Sequence, residues 1–353
     1  MKALILSGGT GTRLRPLTYT SPKQLIPLAN KPILFYLIEK IVKVGIRDIG
    51  IIVGDTQEEI KRGVGSGEKW NVNITYIYQS EPLGLAHAVK TAASFIGDSD
   101  FLMLLGDNMF NMDLDNLIGN FYAKESNTSI LLHQVDKPSQ FGVAVVEHGY
   151  IVKLAEKPQT FISNLIITGV YVFDKSIFTA IDQTLPSARG ELEITDAIQK
   201  QLDLGGKVTY EKIKGWWKDT GKEQDILEAN RLLLDDIENE MQSLPDSDSL
   251  YMGKLRIGKN VKVVNSIIMG PVVIDDDSMI VNSYIGPYTS ISKGVKISNC
   301  EMDNCIILGD TQIENVTGRI SGSLIGKNVL IQSNNKRPFA NSFVLGDNSK
   351  IRL

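Results

Sequence analysis

Up to about residue 240, short apolar runs alternate with segments whose apolar positions fall at helical spacing. Ala3–Leu6 reads as a buried strand. After a loop, Leu34, Leu37, Ile38 and Ile41 mark one helical face, announced by Pro32 and stopped by Gly45. Further strands are predicted at Ile49–Val53, Ile74–Tyr78 and Phe101–Leu105, with helices from about Gln57 and over Leu85–Phe95. Continuous apolar strands in repeated β-α-β order predict an α/β domain built on a Rossmann-like, mostly parallel sheet covered on both faces. Ligands of such sheets bind beyond the C-terminal strand ends. The loops at 7–15, 79–84 and 106–108 are therefore expected along one edge.

The segment 241–250, with Pro245 and Asp246-Ser247-Asp248-Ser249, reads as a linker between a domain at 1–240 and another at 251–353. Beyond it the pattern changes. Leu255, Val261, Ile267, Val273, Met279, Ile285, Ile291 and Ile297 recur every sixth residue; after a phase break the beat resumes at Ile307 and Ile313, skips Arg319, and returns at Ile325 and Ile331. Neither a helical nor an alternating period fits. A six-residue period predicts a parallel β-helix with one inward apolar residue per face. Coil stacking leaves ends and faces on which such a domain can self-associate.

Composition narrows the classes. The chain has 353 residues, 42% apolar and 22% charged, as in ordinary globular proteins. A net charge of −4 gives no general attraction to nucleic acid or anionic membrane, so phosphate binding must be local. The two cysteines, Cys300 and Cys305, suit buried thiols in a reducing compartment rather than a disulfide or zinc framework. No signal-like or membrane-spanning apolar run is present, and a cytoplasmic location is expected.

The chemistry starts at Ser7-Gly8-Gly9-Thr10-Gly11-Thr12-Arg13. Its glycines let backbone N–H groups approach a phosphate. The segment is not a Walker loop, which needs Lys then Ser or Thr after its last Gly. Nor is it a dinucleotide fingerprint: Leu14 stands where the third Gly belongs, and the first acid after the loop is Glu39. A second cation, Lys23, follows in Pro22-Lys23-Gln24-Leu25. Taken singly, Asp107 could be a turn residue and Asp219 a helix cap.

Together, Gly8 to Leu14 and Ser21-Pro22-Lys23-Gln24-Leu25 resemble the signature of the sugar-phosphate nucleotidyltransferases. Gln79-Ser80-Glu81-Pro82-Leu83-Gly84, Leu105-Gly106-Asp107-Asn108, Glu156-Lys157-Pro158 and Trp217-Lys218-Asp219 match in order. With the hexapeptide tail, the chain is most similar to the long glucose-1-phosphate thymidylyltransferases. The resemblance implies a left-handed β-helix, a homo-oligomer assembled through it, and reaction of dTTP, or UTP, with glucose 1-phosphate. Arg13, Lys23 and Asp107 would be catalytic, and Mg²⁺ would sit on Asp107 and Asp219. Leu6, Gly8, Gly9, Gly11, Gln24, Gln79 and Gly84 would hold the nucleotide. Gly142, Glu156, Lys157, Ile167 and Gly169 would hold the sugar phosphate, although Phe141 and Ile167 replace the Tyr and Val of many relatives. Arg189 could reach a phosphate or be a solvated loop residue. A β-helix acyltransferase activity is disfavoured, since His87, His133 and His148 all precede residue 240.

Overall fold

A computed structural model describes residues 1–244, 246–333, 343 and 345–351; Pro245, assigned above to the linker, and residues 334–342, 344, 352 and 353 of the 251–353 range lie outside the described residues. The chain forms two compact units. One comprises Met1–Thr10, Ser21–Leu25 and Ile33–Asp219; the other comprises Gly11–Thr20, Ile26–Pro32 and Thr220–Leu353.

The first unit is α/β, around a nine-stranded sheet. Lys2–Leu6 lies between Phe101–Leu105 and Asp48–Val53, and Asn73–Tyr78 follows Asp48–Val53, all in parallel. Leu165–Phe173 runs antiparallel to Phe101–Leu105 and extends the sheet to Gly142–Glu147 and Tyr150–Glu156. Thr128–Gln134 and Val208–Lys212 complete it. The continuous apolar runs are explained by burial on both faces. Leu4, Met103 and Phe173 pack in one core cluster, Ile5, Leu102 and Val172 in the other. The helix Ile33–Lys43 buries Leu34, Leu37, Ile38 and Ile41, as its spacing predicts. The helix expected over Leu85–Phe95 is interrupted at Ala92, giving Leu85–Thr91 and Ala93–Ile96.

The second unit contains a left-handed parallel β-helix of short strands in three sheets. Its coil is not three regular hexapeptides. Asparagines at the corners stack 17 residues apart, Asn265 on Asn282 and Asn282 on Asn299. A 17-residue coil takes one five-residue step among two six-residue steps, so a strict six-beat drifts out of phase. Ile267 and Met279 accordingly face outward, 42% and 39% exposed, while Ile268 and Ile280 fill the interior. Val273 also leaves the β-helix core; it is buried instead with Leu234, Ile237 and Ala29. Leu255, Val261, Ile285, Ile291, Ile297, Ile307, Ile313 and Ile325 point inward as expected, and Ile331 packs partly against that core.

Two short strands fall near the residues read as linker. Glu240–Met241 pairs with Arg256–Ile257, and Leu250–Met252 with Ile267–Met269. The helix Glu223–Asp235 belongs to the same unit. Its Asn230 Oδ1 accepts from the Ala29 amide and the Ser290 hydroxyl, both at 2.8 Å. Among the described residues, no helix is long and apolar enough to cross a membrane.

Candidate active site

The sheet order arranges the candidate residues of the first unit along one edge. Ser7, Gly54, Gln79 and Gly106 each follow directly on a parallel strand. The strand ends are tied together: the Ser7 amide donates to the Ile52 carbonyl, and the Gly106 amide to the Leu6 carbonyl, both at 2.9 Å. Leu6 is buried beneath them, Gly8 is half-buried and Gly9 is exposed. A Cβ at Gly8 would fall 3.3 Å from Gln79 Oε1, so the Gly-rich turn and this amide are close neighbours.

At the centre of the edge, buried Lys23 forms an ion pair with Asp107, the residue after Gly106. Gln24 donates to the Ser7 carbonyl at 3.3 Å, while its Oε1 and the Ser7 hydroxyl are buried with no hydrogen-bond partner in the protein. Buried polar atoms of this kind ask for water or ligand. Asp219 ends the strand Trp217–Asp219 and lies in register with Asn108, which places its backbone beside the residue after Asp107. Buried Thr168 carbonyl fixes this pair of strands, accepting from Asn108 Nδ2 at 2.7 Å and Trp217 Nε1 at 3.0 Å.

The chain irregularity that frees Thr168 for this role is a register shift between Ile167 and Tyr171. Gly169 sits in it at φ +78°, where a Cβ would meet the Leu105 side chain at 2.7 Å. Only glycine adopts that geometry without strain. Next along the edge, Gly142 pairs with Glu156. A Cβ at Gly142 would lie 2.8 Å from Thr195 Oγ1 and 3.1 Å from Ile167 Cδ1, so glycine leaves a recess among these side chains. Glu156 accepts from Thr195 at 2.8 Å and lies 3.3 Å from Lys157 Nζ and 3.4 Å from Arg189.

Arg189, for which the sequence leaves two readings open, is thus held beside Glu156 and paired with Glu193 at 2.7 Å. Glu193 first, with Glu191 and Glu156 adding to it, raises its affinity for its proton. Burial, then Glu193 and Glu156, push the Asp196 carboxyl up. Thr195 had no sequence signal at all, since 39 residues separate it from Glu156. Gly84 stands just before the helix Leu85–Thr91, beyond Gln79.

Gly11 and Arg13 belong to the second unit. Gly11, at φ +64°, precedes the short helical turn Thr12–Leu14, and its carbonyl accepts from Thr18 at 2.8 Å. Arg13 is exposed on that turn.

A Gly-rich turn beside a buried Lys–Asp pair at the ends of parallel strands suits the binding of phosphate groups. The chain belongs to the nucleotidyl transferase family, whose pattern matches residues 2–236. It is 47% identical to a glucose-1-phosphate thymidylyltransferase of Streptomyces antibioticus, covering 100% of this chain and 99% of the relative. A glucose-1-phosphate thymidylyltransferase of Streptomyces griseus is 44% identical with the same coverage. Among solved structures, a Bacillus anthracis protein assigned as a glucose-1-phosphate thymidylyltransferase, in complex with sucrose, superimposes with TM-score 0.63 at 36% identity. That match covers 69% of this chain and 98% of the other.

Proposed function

We propose that the chain transfers a thymidylyl group from dTTP to glucose 1-phosphate, giving dTDP-glucose and pyrophosphate. One observation carries this reading. The sheet order lines up Gln79, the Gly8 turn, Lys23 with Asp107, then Gly142 and Glu156, an order suited to base, triphosphate, reacting phosphorus and sugar. Both full-length relatives named for dTTP chemistry support the choice of nucleotide.

In this reading, a phosphate oxygen of glucose 1-phosphate attacks the α-phosphorus in line. A P–O bond forms as the bond to the β-phosphate breaks, and pyrophosphate leaves with the electron pair. The nucleophile is already anionic, so the site needs no base to activate it. Its work is to hold two polyanions together and offset charge at phosphorus. Lys23 supplies a buried ammonium. The orphaned Gln24 Oε1 and Ser7 hydroxyl offer contacts to the nucleotide or its water. Glu156 accepts sugar hydroxyls, and Lys157 faces the sugar phosphate.

Asp107 and Asp219 are hard oxygen donors that would hold a divalent ion. Among the described residues no group of three or more His, Cys, Asp or Glu is placed to hold a metal ion, so phosphate oxygens and water would complete its shell, as suits Mg²⁺. Bound there, the ion would neutralise charge on the triphosphate. We further propose that the β-helix carries self-association.

Pyrophosphate release is to be measured over dTTP, UTP, CTP, ATP and GTP against several sugar 1-phosphates, with and without EDTA. The expected result is fastest release with dTTP and glucose 1-phosphate, lost on chelation. No release from that pair in Mg²⁺ would refute the reading.

A further inference from the structure

The side chain assigned to base recognition is itself held by a neighbour. Gln79 Nε2 stands 2.9 Å from His87 Nδ1, with a longer contact of 3.5 Å to the Gly84 carbonyl. A carbonyl only accepts, so the amide must turn its NH₂ toward Gly84. That orientation makes His87 Nδ1 the acceptor of the shorter bond and puts the imidazole proton on Nε2. Both amide hydrogens are then engaged on the side of the helix Leu85–Thr91. The other end of the amide, Oε1, faces the Gly8 turn, 3.3 Å from where a Gly8 Cβ would lie.

We propose that His87 is a specificity-determining positioning residue: by accepting from Gln79 Nε2 it fixes the amide so that only an acceptor, Oε1, is presented to the base. The proposal rests on the thymidylyl-transfer reading and deepens it. A free glutamine amide can rotate to offer either a donor or an acceptor and so tolerates either kind of base edge. A fixed one cannot. Thymine and uracil carry a hydrogen on N3 and complement Oε1. Cytosine carries a lone pair there, which would face the oxygen and leave two acceptors opposed. His87 is half-buried, and the Thr91 hydroxyl donates to its carbonyl at 2.9 Å, which ties its backbone into the helix. The histidine itself reaches the substrate only through Gln79.

The test compares kcat/KM for dTTP and dCTP, which share their sugar and phosphates, with glucose 1-phosphate in the full-length protein. Both values come from one preparation, so their ratio is insensitive to the fraction correctly folded. His87→Phe removes the acceptor, His87→Ser is too short to reach Nε2, and His87→Asn keeps an oxygen acceptor near the Nδ1 position. Phe and Ser are expected to lower the dTTP:dCTP ratio roughly tenfold, and Asn to keep it within about threefold. In a Gln79→Ala background the His87 substitutions should change the ratio no further. An unchanged ratio in whichever of the Phe and Ser variants folds, or the same drop with Gln79 absent, would overturn the proposal. Failure of the wild-type protein to use dTTP would instead overturn the reading on which it rests.

Discussion

At the scale of single residues, the site depends on a few charges whose surroundings are well defined. Lys23 and Asp107 pair in a poorly solvated position, so removing either charge leaves the other uncompensated. Asp107→Asn keeps the side-chain shape and one oxygen, yet it removes the charge that, in the proposed reading, would hold the metal. It is expected to lower kcat at least ~100-fold, as loss of a key electrostatic group does. A melting temperature near wild type, measured alongside, would place the loss in chemistry; near-normal kcat would refute the metal assignment. Lys157 is more exposed and neighbours Glu156. Lys157→Ala should raise KM for glucose 1-phosphate about tenfold and leave KM for dTTP nearly unchanged, which initial-rate kinetics will separate. Most of these residues were legible because they stand in short runs beside Gly or Pro: Gly8 to Arg13, Pro22-Lys23, Gly106-Asp107. Thr195 and His87 were not read as partners, because a long-range contact and an i+8 pairing across a turn leave no local pattern.

Secondary-structure elements show where periodic reading holds and where it slips. The parallel strands were legible because burial on both faces makes them continuous apolar runs. The β-helix was legible as a repeat, but its beat was read one notch too regular. Ile267 next to Ile268 and Met279 next to Ile280 are adjacent apolar residues, and periodicity alone cannot say which one faces inward. The corners settle it. Asn265, Asn282 and Asn299 all turn with positive φ, of 45°, 47° and 52°, and their side-chain amides bond from coil to coil. Asparagine tolerates this conformation and continues the ladder at the same time. Asn282→Ala loses two ladder bonds and keeps the strained backbone, so it should cost about 1–2 kcal/mol of stability. Asn282→Gly relieves the strain and should cost less. Chemical denaturation of the two variants checks the order; an alanine variant as stable as wild type would show that the ladder is incidental. Serines and a cysteine form a parallel ladder inside, where the Ser266 hydroxyl accepts from the Ser283 amide and the Ser283 hydroxyl from the Cys300 amide. Cys300 is therefore one more rung of this ladder, which accounts for a buried thiol without any redox role.

Across the whole molecule, sequence order and compact unit do not coincide. The helix Glu223–Asp235 comes before any hexapeptide beat, and nothing in its amphipathic pattern says what it packs against. In the structure its unit buries Leu234 and Ile237 with Ala29 and Val273. Arg256 also donates to the Ala29 carbonyl at 2.6 Å, and Asn30 Nδ2 to the Ile291 carbonyl at 2.7 Å. These contacts alter what a truncation should do. Removing residues after 250 takes away Val273, Arg256, Ser290 and Ile291, and strips the partners from Ala29, Asn30, Asn230, Leu234 and Ile237. Exposing such a cluster creates an apolar patch with unpaired polar groups, which favours aggregation. The truncated chain is therefore expected to lose soluble yield and thermal stability together with any self-association. Light scattering and thermal melts of the two forms will test this. Should the truncated chain remain soluble, with unchanged mass per particle and unchanged melting temperature, then the β-helix would carry neither assembly nor the stability of the helix at Glu223–Asp235.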